Sequence, residues 1–139
     1  MFIRDYQSKD FPQLEALWKE CGIFDSERGD SSGIIDRCNA RGGKLLVMED
    51  PASGRIIASS WLTWDGRRFL LHHFAVRPSY QNKGYGRSLA LKSLEFAREM
   101  GSPVKLEVSP LNLPALQLYR SLGFELLGDY NVYILKYPS

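Results

Sequence analysis

The chain reads as an α/β (α+β) domain, a mixed and mostly antiparallel sheet with helices on both faces. Three observations lead there. Residues 55–64 and 67–76 read as strands joined by Asp65-Gly66, a strong two-residue hairpin signal. A helical pattern over 84–100 is followed by a strand over 103–109, and a strand–helix–strand order implies a crossover and a parallel pair. The length, 139 residues, suits one domain spanning 1–139 and buries about 70% of the unfolded surface without covalent staples.

Taken in order, residues 2–6 form the first strand. Asp10 caps a helix, with Pro12 tolerated in its first turn and Gln13 three residues after the cap. Leu14, Leu17, Trp18 and Cys21 then share one helical face, and Gly22 stops the helix. Cys21 is thereby placed in the core as a small hydrophobe. Residues 23–32, rich in Asp, Ser and Gly, form a loop, and a short helix around Ile34, Ile35 and Cys38 ends at Gly42-Gly43. A strand over 44–48 and a turn over 50–54 lead into the hairpin.

In the helix over 84–100, Leu89, Ala90, Leu94, Phe96, Ala97 and Met100 share the apolar face. Asn112 caps a last helix whose face is Ala115, Leu118, Tyr119 and Leu122, and Gly123 stops it. Residues 124–127 and 130–137 close as a terminal hairpin.

Composition narrows the function classes. The formal charge of +2 does not argue for nucleic acid. Two cysteines without a C-x-x-C spacing, and only two histidines, argue against a structural zinc site. No apolar run approaches the ~20 residues of a membrane span, and the N-terminus lacks a signal-peptide pattern. A cytoplasmic protein with reduced cysteines is expected, with no metal, nucleic acid or membrane among its partners.

The chemistry concentrates in Gln81-Asn82-Lys83-Gly84-Tyr85-Gly86, which runs from a strand ending Ala75-Val76-Arg77-Pro78 into a helix. The first amides of a helix lack intrahelical partners and carry partial positive charge, and glycines let the backbone approach a ligand, so together they can cradle a pyrophosphate. Leu89 stands where a dinucleotide fingerprint needs its third glycine, and a P-loop Gly-Lys-Ser/Thr is absent. What remains is Gln/Arg-x-x-Gly-x-Gly/Ala. This resembles the GNAT superfamily of N-acetyltransferases. A second match is Asn112, Ala115, Tyr119, Gly123 and Phe124, in the spacing Asn-x-x-Ala-x-x-x-Tyr-x-x-x-Gly-Phe.

The resemblance is clear over 69–127, and the first half carries no specific motif. It implies a GNAT-like fold and an N-acetyltransferase that moves an acetyl group from acetyl-CoA to a primary amine by direct attack on the thioester. It assigns the acetyl-CoA contacts to Phe74, Ala75 and Val76, whose backbone aligns the pantetheine arm and donates to the developing negative charge. Gln81, Asn82, Lys83, Gly84, Tyr85, Gly86, Arg87 and Ser88 surround the pyrophosphate, and Asn112 and Ala115 complete the set.

Glu107 is the candidate base and Tyr119 the candidate acid for the leaving thiolate. Their spacing is similar to that of the ribosomal-protein alanine N-acetyltransferase branch. A solvated strand carboxylate and a packed core tyrosine are the plainer alternatives. His72 and His73, adjacent on a strand, are expected on opposite faces, one of them able to shuttle protons. Asp25, Glu27 and Asp30 could attract a cationic amine. The acceptor, a small amine or a peptide N-terminus, is left open, and a homodimer is allowed. Two competing readings are a non-catalytic acyl-CoA-binding regulatory module and a nucleic-acid binder using Arg67, Arg68, Arg77, Lys83 and Arg87.

Overall fold

A computed structural model describes residues 1–138. The chain divides into two compact units, Met1–Glu107 and a second from Val108 onward. In the first unit, β1 (Phe2–Asp5), β2 (Lys44–Asp50), β3 (Arg55–Trp64), β4 (Phe69–Val76) and β5 (Val104–Leu106) lie side by side in chain order. All neighbours are antiparallel except β4 and β5. The parallel pair is the one predicted from the intervening helix, α3 (Tyr85–Glu99).

Period-two alternation sends each strand's side chains to two cores. On one face Leu45, Val47, Ile56, Trp61 and Ala75 pack with Leu14, Leu17 and Trp18 of α1 (Phe11–Glu20) and Ile35 of α2 (Ser32–Ala40). On the other, Leu46, Met48, Ile57 and Ala58 pack with Leu89 of α3. Two buried serines pin the layers: Ser60 Oγ meets Ser93 Oγ of α3 at 2.7 Å, and Trp18 Nε1 donates to Ser59 Oγ at 2.9 Å.

Several elements differ from the reading of the sequence. Asp10 gives α1 no side-chain cap; it is buried and accepts from both terminal nitrogens of Arg4 at 2.8 and 2.9 Å and from the Gln7 amide at 2.8 Å. A guanidinium competes better for a buried carboxylate than an amide does alone. Gln13 crosses to β3, where its side-chain oxygen accepts from the Ile56 amide at 2.9 Å. Cys21 is half-buried, its Sγ 3.7 Å from the Val76 carbonyl. Met100 is exposed, because α3 ends at Glu99 and the turn carries it off the apolar face.

The second unit contains α4 (Leu113–Ser121). The terminal hairpin is not formed: no strand is assigned over 122–138, and Leu126, Tyr130, Tyr133 and Leu135 are exposed. Apolar alternation marks a potential strand, but a ladder exists only where a second backbone pairs with it, and an isolated hairpin is marginal in water.

Candidate active site at the end of the fourth strand

β4 is interrupted by a bulge. Its ladder with β3 pairs Ser59 with Ala75 and Trp61 with His72, so two residues, His73 and Phe74, stand against Ser60 alone. His73 takes φ 45°, the left-handed region that a non-glycine residue rarely occupies. The bulge is held by hydrogen bonds: Ser59 Oγ donates to the His73 carbonyl at 2.7 Å while accepting from Trp18. On its other edge β4 pairs with β5 only at Phe69, Leu70 and Leu71. Beyond Leu71 and Leu106 the parallel ladder stops, ahead of Phe74, Ala75 and Val76, the stretch expected to align a pantetheine arm.

From β4 the chain passes through a single 3-10 turn, Pro78–Tyr80, into the glycine-rich segment. Gln81 Nε2 donates back to the Val76 carbonyl at 2.9 Å, fixing the turn to the strand. Asn82 has φ 62° and Gly84 φ 85°, and Gly84 precedes α3. A Cβ built on Gly84 would meet nothing within 4 Å, so glycine is required there for its angle and leaves the backbone open. Gly86 lies inside α3 and is not among the positive-φ glycines, so the need for special angles falls on Gly84 alone. The Gly84 carbonyl accepts from the Ser88 amide and Ser88 Oγ, both at 3.2 Å, so the amides of Tyr85 and Gly86 precede the helix's first turn of bonds. Backbone amides of that kind at a helix N-terminus can receive an anion.

Around it, the Tyr85 ring lies 6.4 Å from that of Tyr80, Lys83 Nζ sits 5.7 Å over the Tyr80 ring, and Tyr80 donates to Asp50 at 2.8 Å. Arg77, one of the cations of the competing nucleic-acid reading, is buried; it donates to the Ile56 carbonyl at 2.9 Å and to Glu20.

Glu107 is exposed and lies one residue past β5 rather than within a strand. It lines an open depression of about 440 Å³ with Thr63, Trp64, Asp65, Arg68, Leu70 and Lys105. His72 and His73 do not face opposite sides. The bulge turns both rings to the α1 side, with ring centres 4.9 Å apart and their Nδ1 atoms 2.7 Å apart. His73 lies 4.4 Å from Trp18, and His72 lies 4.7 Å from Trp61. Burial, then the neighbouring His73, pushes the His72 pKa down to about 4, so this ring is neutral at neutral pH. Asp30 is buried, its carboxylate 3.0 Å from His73 Nε2 without hydrogen-bond alignment, and it accepts from the Asp25 amide at 2.8 Å.

In the second unit, Asn112 Oδ1 accepts from the Ala115 amide at 3.3 Å and caps α4 as expected. The Tyr119 ring is 5.6 Å from Phe124, and burial raises its pKa. Among the described residues, no cluster of three or more His, Cys, Asp or Glu could hold a metal ion. No helix among them is long and apolar enough to cross a membrane.

Sequence reasoning missed Ser59, Thr63, Tyr80 and Asp50. The signal for Ser59 was present: two adjacent serines interrupt the apolar run Ile56-Ile57-Ala58 to Trp61-Leu62, and a buried hydroxyl must find partners.

The fold and this turn define a class, and the comparisons name it. Residues 3–124 match the Acetyltransferase (GNAT) family, and the chain belongs to that family. It is 38% identical over 118 residues to streptothricin acetyltransferase of Streptomyces lavendulae, covering 84% of this chain and 60% of that protein. It is 41% identical over 92 residues to mycothiol acetyltransferase of Thermobifida fusca, covering 59% and 28%. It is 48% identical over 58 residues to N-alpha-acetyltransferase RimI of Mycobacterium tuberculosis, covering 42% and 35%. The chain thus spans between about a quarter and three-fifths of the length of these relatives. In fold it is similar to ribosomal-protein-alanine N-acetyltransferase from Brucella melitensis, with TM-score 0.79 and 23% identity over 92% of this chain and 86% of that one.

Proposed function

We propose that this protein transfers the acetyl group of acetyl-CoA to a primary amine in the cytoplasm. The observation that carries this reading is the sequence of parts at the end of β4: a bulged strand whose β5 ladder stops at Leu71, then an open turn with Gly84 at φ 85°, then the N-terminus of α3. The bound co-substrate supplies an activated acetyl thioester. Backbone groups of Phe74, Ala75 and Val76 orient its arm as an added strand would be oriented, and their amides oppose charge developing on the carbonyl oxygen. The first amides of α3 take the pyrophosphate, with Gln81, Asn82, Lys83, Arg87 and Ser88 around them.

Glu107 accepts the amine's proton, directly or through water. An α-amine with pKa near 8 asks little of it, whereas an ammonium near 10.4 is less than about 0.1% neutral at pH 7 and asks more. Tyr119 holds a phenolic proton at neutral pH and gives it to the departing sulfur. Asn112 and Ala115 complete the co-substrate contacts. Relatives named mycothiol acetyltransferase, streptothricin acetyltransferase and N-alpha-acetyltransferase support acetyl transfer as the class of reaction. The acceptor is a small amine or a peptide N-terminus.

The test is thiol release from acetyl-CoA across a panel of free amines, aminoglycoside-like antibiotics and N-terminal peptides. Turnover on any of them supports the reading. Tight acetyl-CoA binding with no turnover on the whole panel overturns catalysis and leaves a regulatory acyl-CoA-binding module.

A further inference from the structure

Four polar side chains run from the loop before α2 to the depression beside Glu107. Asp30 Oδ1 lies 3.0 Å from His73 Nε2, His73 Nδ1 lies 2.7 Å from His72 Nδ1, and His72 Nε2 lies 3.1 Å from Thr63 Oγ1. Thr63 lines the depression. His72 follows Leu71 and Glu107 follows Leu106, the last pair of the parallel ladder. The inner end of the chain is therefore buried and the outer end meets the open space that Glu107 shares.

The protons along this chain can be assigned. Two Nδ1 atoms at 2.7 Å require one donor and one acceptor. If His73 donated, its bare, electron-rich Nε2 would lie 3.0 Å from the Asp30 carboxylate, a repulsive approach. The opposite assignment removes that repulsion: His72 Nδ1–H donates to His73 Nδ1, His73 carries its proton on Nε2 beside Asp30, and the bare His72 Nε2 accepts from the Thr63 hydroxyl. The two hydrogen bonds of the chain, Thr63 to His72 and His72 to His73, then run in one direction, away from the depression.

We propose that Asp30, His73, His72 and Thr63 form a proton relay that draws a proton from an ammonium acceptor in the depression and settles it on His73. This rests on the acetyl-transfer reading above, in which an ammonium sheds two protons on its way to the amide: the relay takes the first, and Glu107 takes the second as nitrogen bonds the carbonyl carbon. The relay is balanced. The acceptor's N–H bond breaks as Thr63 Oγ1 takes that proton and yields its own to His72 Nε2; His72 Nδ1–H passes its proton to His73 Nδ1. The acceptor becomes a neutral amine, His72 is neutral in its other tautomer, and His73 is an imidazolium beside the Asp30 carboxylate. Between turnovers the proton returns to solvent along the same path.

Burial holds His72 neutral and makes it a conductor, not a store. The groups facing the pair are Asp30 and Arg28 from the loop before α2, with Trp18 of α1 and Trp61 of β3 as apolar walls. Arg28 disfavours charge on His72, and Asp30 favours it. His72, His73 and Asp30 are positioning and relay residues, since none is placed on reacting atoms.

The experiment combines imidazole ¹⁵N spectra of the full chain with pH–rate profiles of wild type, Thr63→Val and Asp30→Asn, using acetyl-CoA and the best amine of the panel. The relay predicts His72 as the Nδ1–H tautomer and His73 as the Nε2–H tautomer at neutral pH. Both variants should lose at least tenfold in turnover near pH 7, keep acetyl-CoA affinity, and recover as pH rises toward the amine's own pKa. Thr63→Val keeps the side chain's shape, so folding is not at issue there. The reverse tautomers, or turnover of both variants within twofold of wild type across the pH range, overturn the relay while leaving acetyl transfer standing. A wild type inactive on the entire amine panel overturns the acetyl-transfer reading, and the relay's use falls with it, whatever the tautomers.

Discussion

Spacing in the sequence singles out Tyr119 and Glu107 as candidates, but says nothing of their surroundings. Burial raises the Tyr119 pKa, so the phenol keeps its proton through neutral pH. A positioned acid contributes roughly 10²–10⁴-fold in rate, so Tyr119→Phe should lower kcat and kcat/KM together by that order. The ring's contact with Phe124 needs no hydroxyl and is kept in the variant. Single-turnover kinetics alongside thermal melts checks this; a drop in stability that tracks the drop in rate would make the hydroxyl structural. Glu107 stands exposed beyond β5, where a glutamine costs the fold little. Glu107→Gln should keep acetyl-CoA affinity, lose roughly tenfold or more in turnover near pH 7, and recover with rising pH as the amine deprotonates unaided. A pH-independent loss in the rate profile would instead mean that the carboxylate only positions the acceptor.

The elements show where local pattern and tertiary context part. α3 was legible from its period and its glycine start, and Gly84 occupies the left-handed angle that the motif demands. Valine at 84 meets no neighbour within 4 Å but must adopt φ 85°, at a cost of roughly 1–2 kcal/mol, and its branches screen the amides behind it. Acetyl-CoA at a hundredfold excess over its dissociation constant should stabilise wild type by about 2.7 kcal/mol. Differential scanning should show that shift lost in Gly84→Val; an intact shift would remove the turn from the pyrophosphate site. The β4 bulge was not legible, because strand alternation read His72 and His73 as facing opposite ways. Its support is the Trp18–Ser59–His73 chain of bonds. Ser59→Ala leaves the buried Trp18 N–H without its acceptor, which should cost about 1–3 kcal/mol in denaturant melts. An unchanged midpoint would show that the bulge stands without that hydroxyl.

At the scale of the whole molecule, acid stability should fall in two stages. The His72 pKa is near 4 in the fold against about 6.5 unfolded, so the unfolded chain binds more protons between those values and stability declines as pH falls from about 6.5 to 4. Burial opposes ionisation of Asp10, but the Arg4 guanidinium and the Gln7 amide outweigh it and hold its carboxyl below the usual range. That contribution is complete above the unfolded value of about 3.9 and is lost as pH drops through the lower folded value. Melting midpoints from pH 7.5 to 2.5 should show the first stage flattened in His72→Gln and the second in Asp10→Asn. An unchanged slope between pH 6.5 and 4 in His72→Gln would exclude the buried histidine as its source.

By itself the sequence determined the antiparallel hairpin, the parallel crossover around α3, the turn of residues 81–86 and the family, because each is written in short-range spacing or in glycines whose angles are local requirements. Tertiary structure alone decided the rest. Asp10 left its predicted cap because Arg4, six residues away, offers two charged donors. Arg77 is withdrawn from the cations a nucleic-acid binder would use because Ile56 and Glu20 receive it inside. The predicted terminal hairpin did not form, since alternation cannot supply a partner strand. His72 and His73 met because one extra residue in β4 reverses the side to which a strand points, and a register shift of one residue leaves no mark in a periodicity of two.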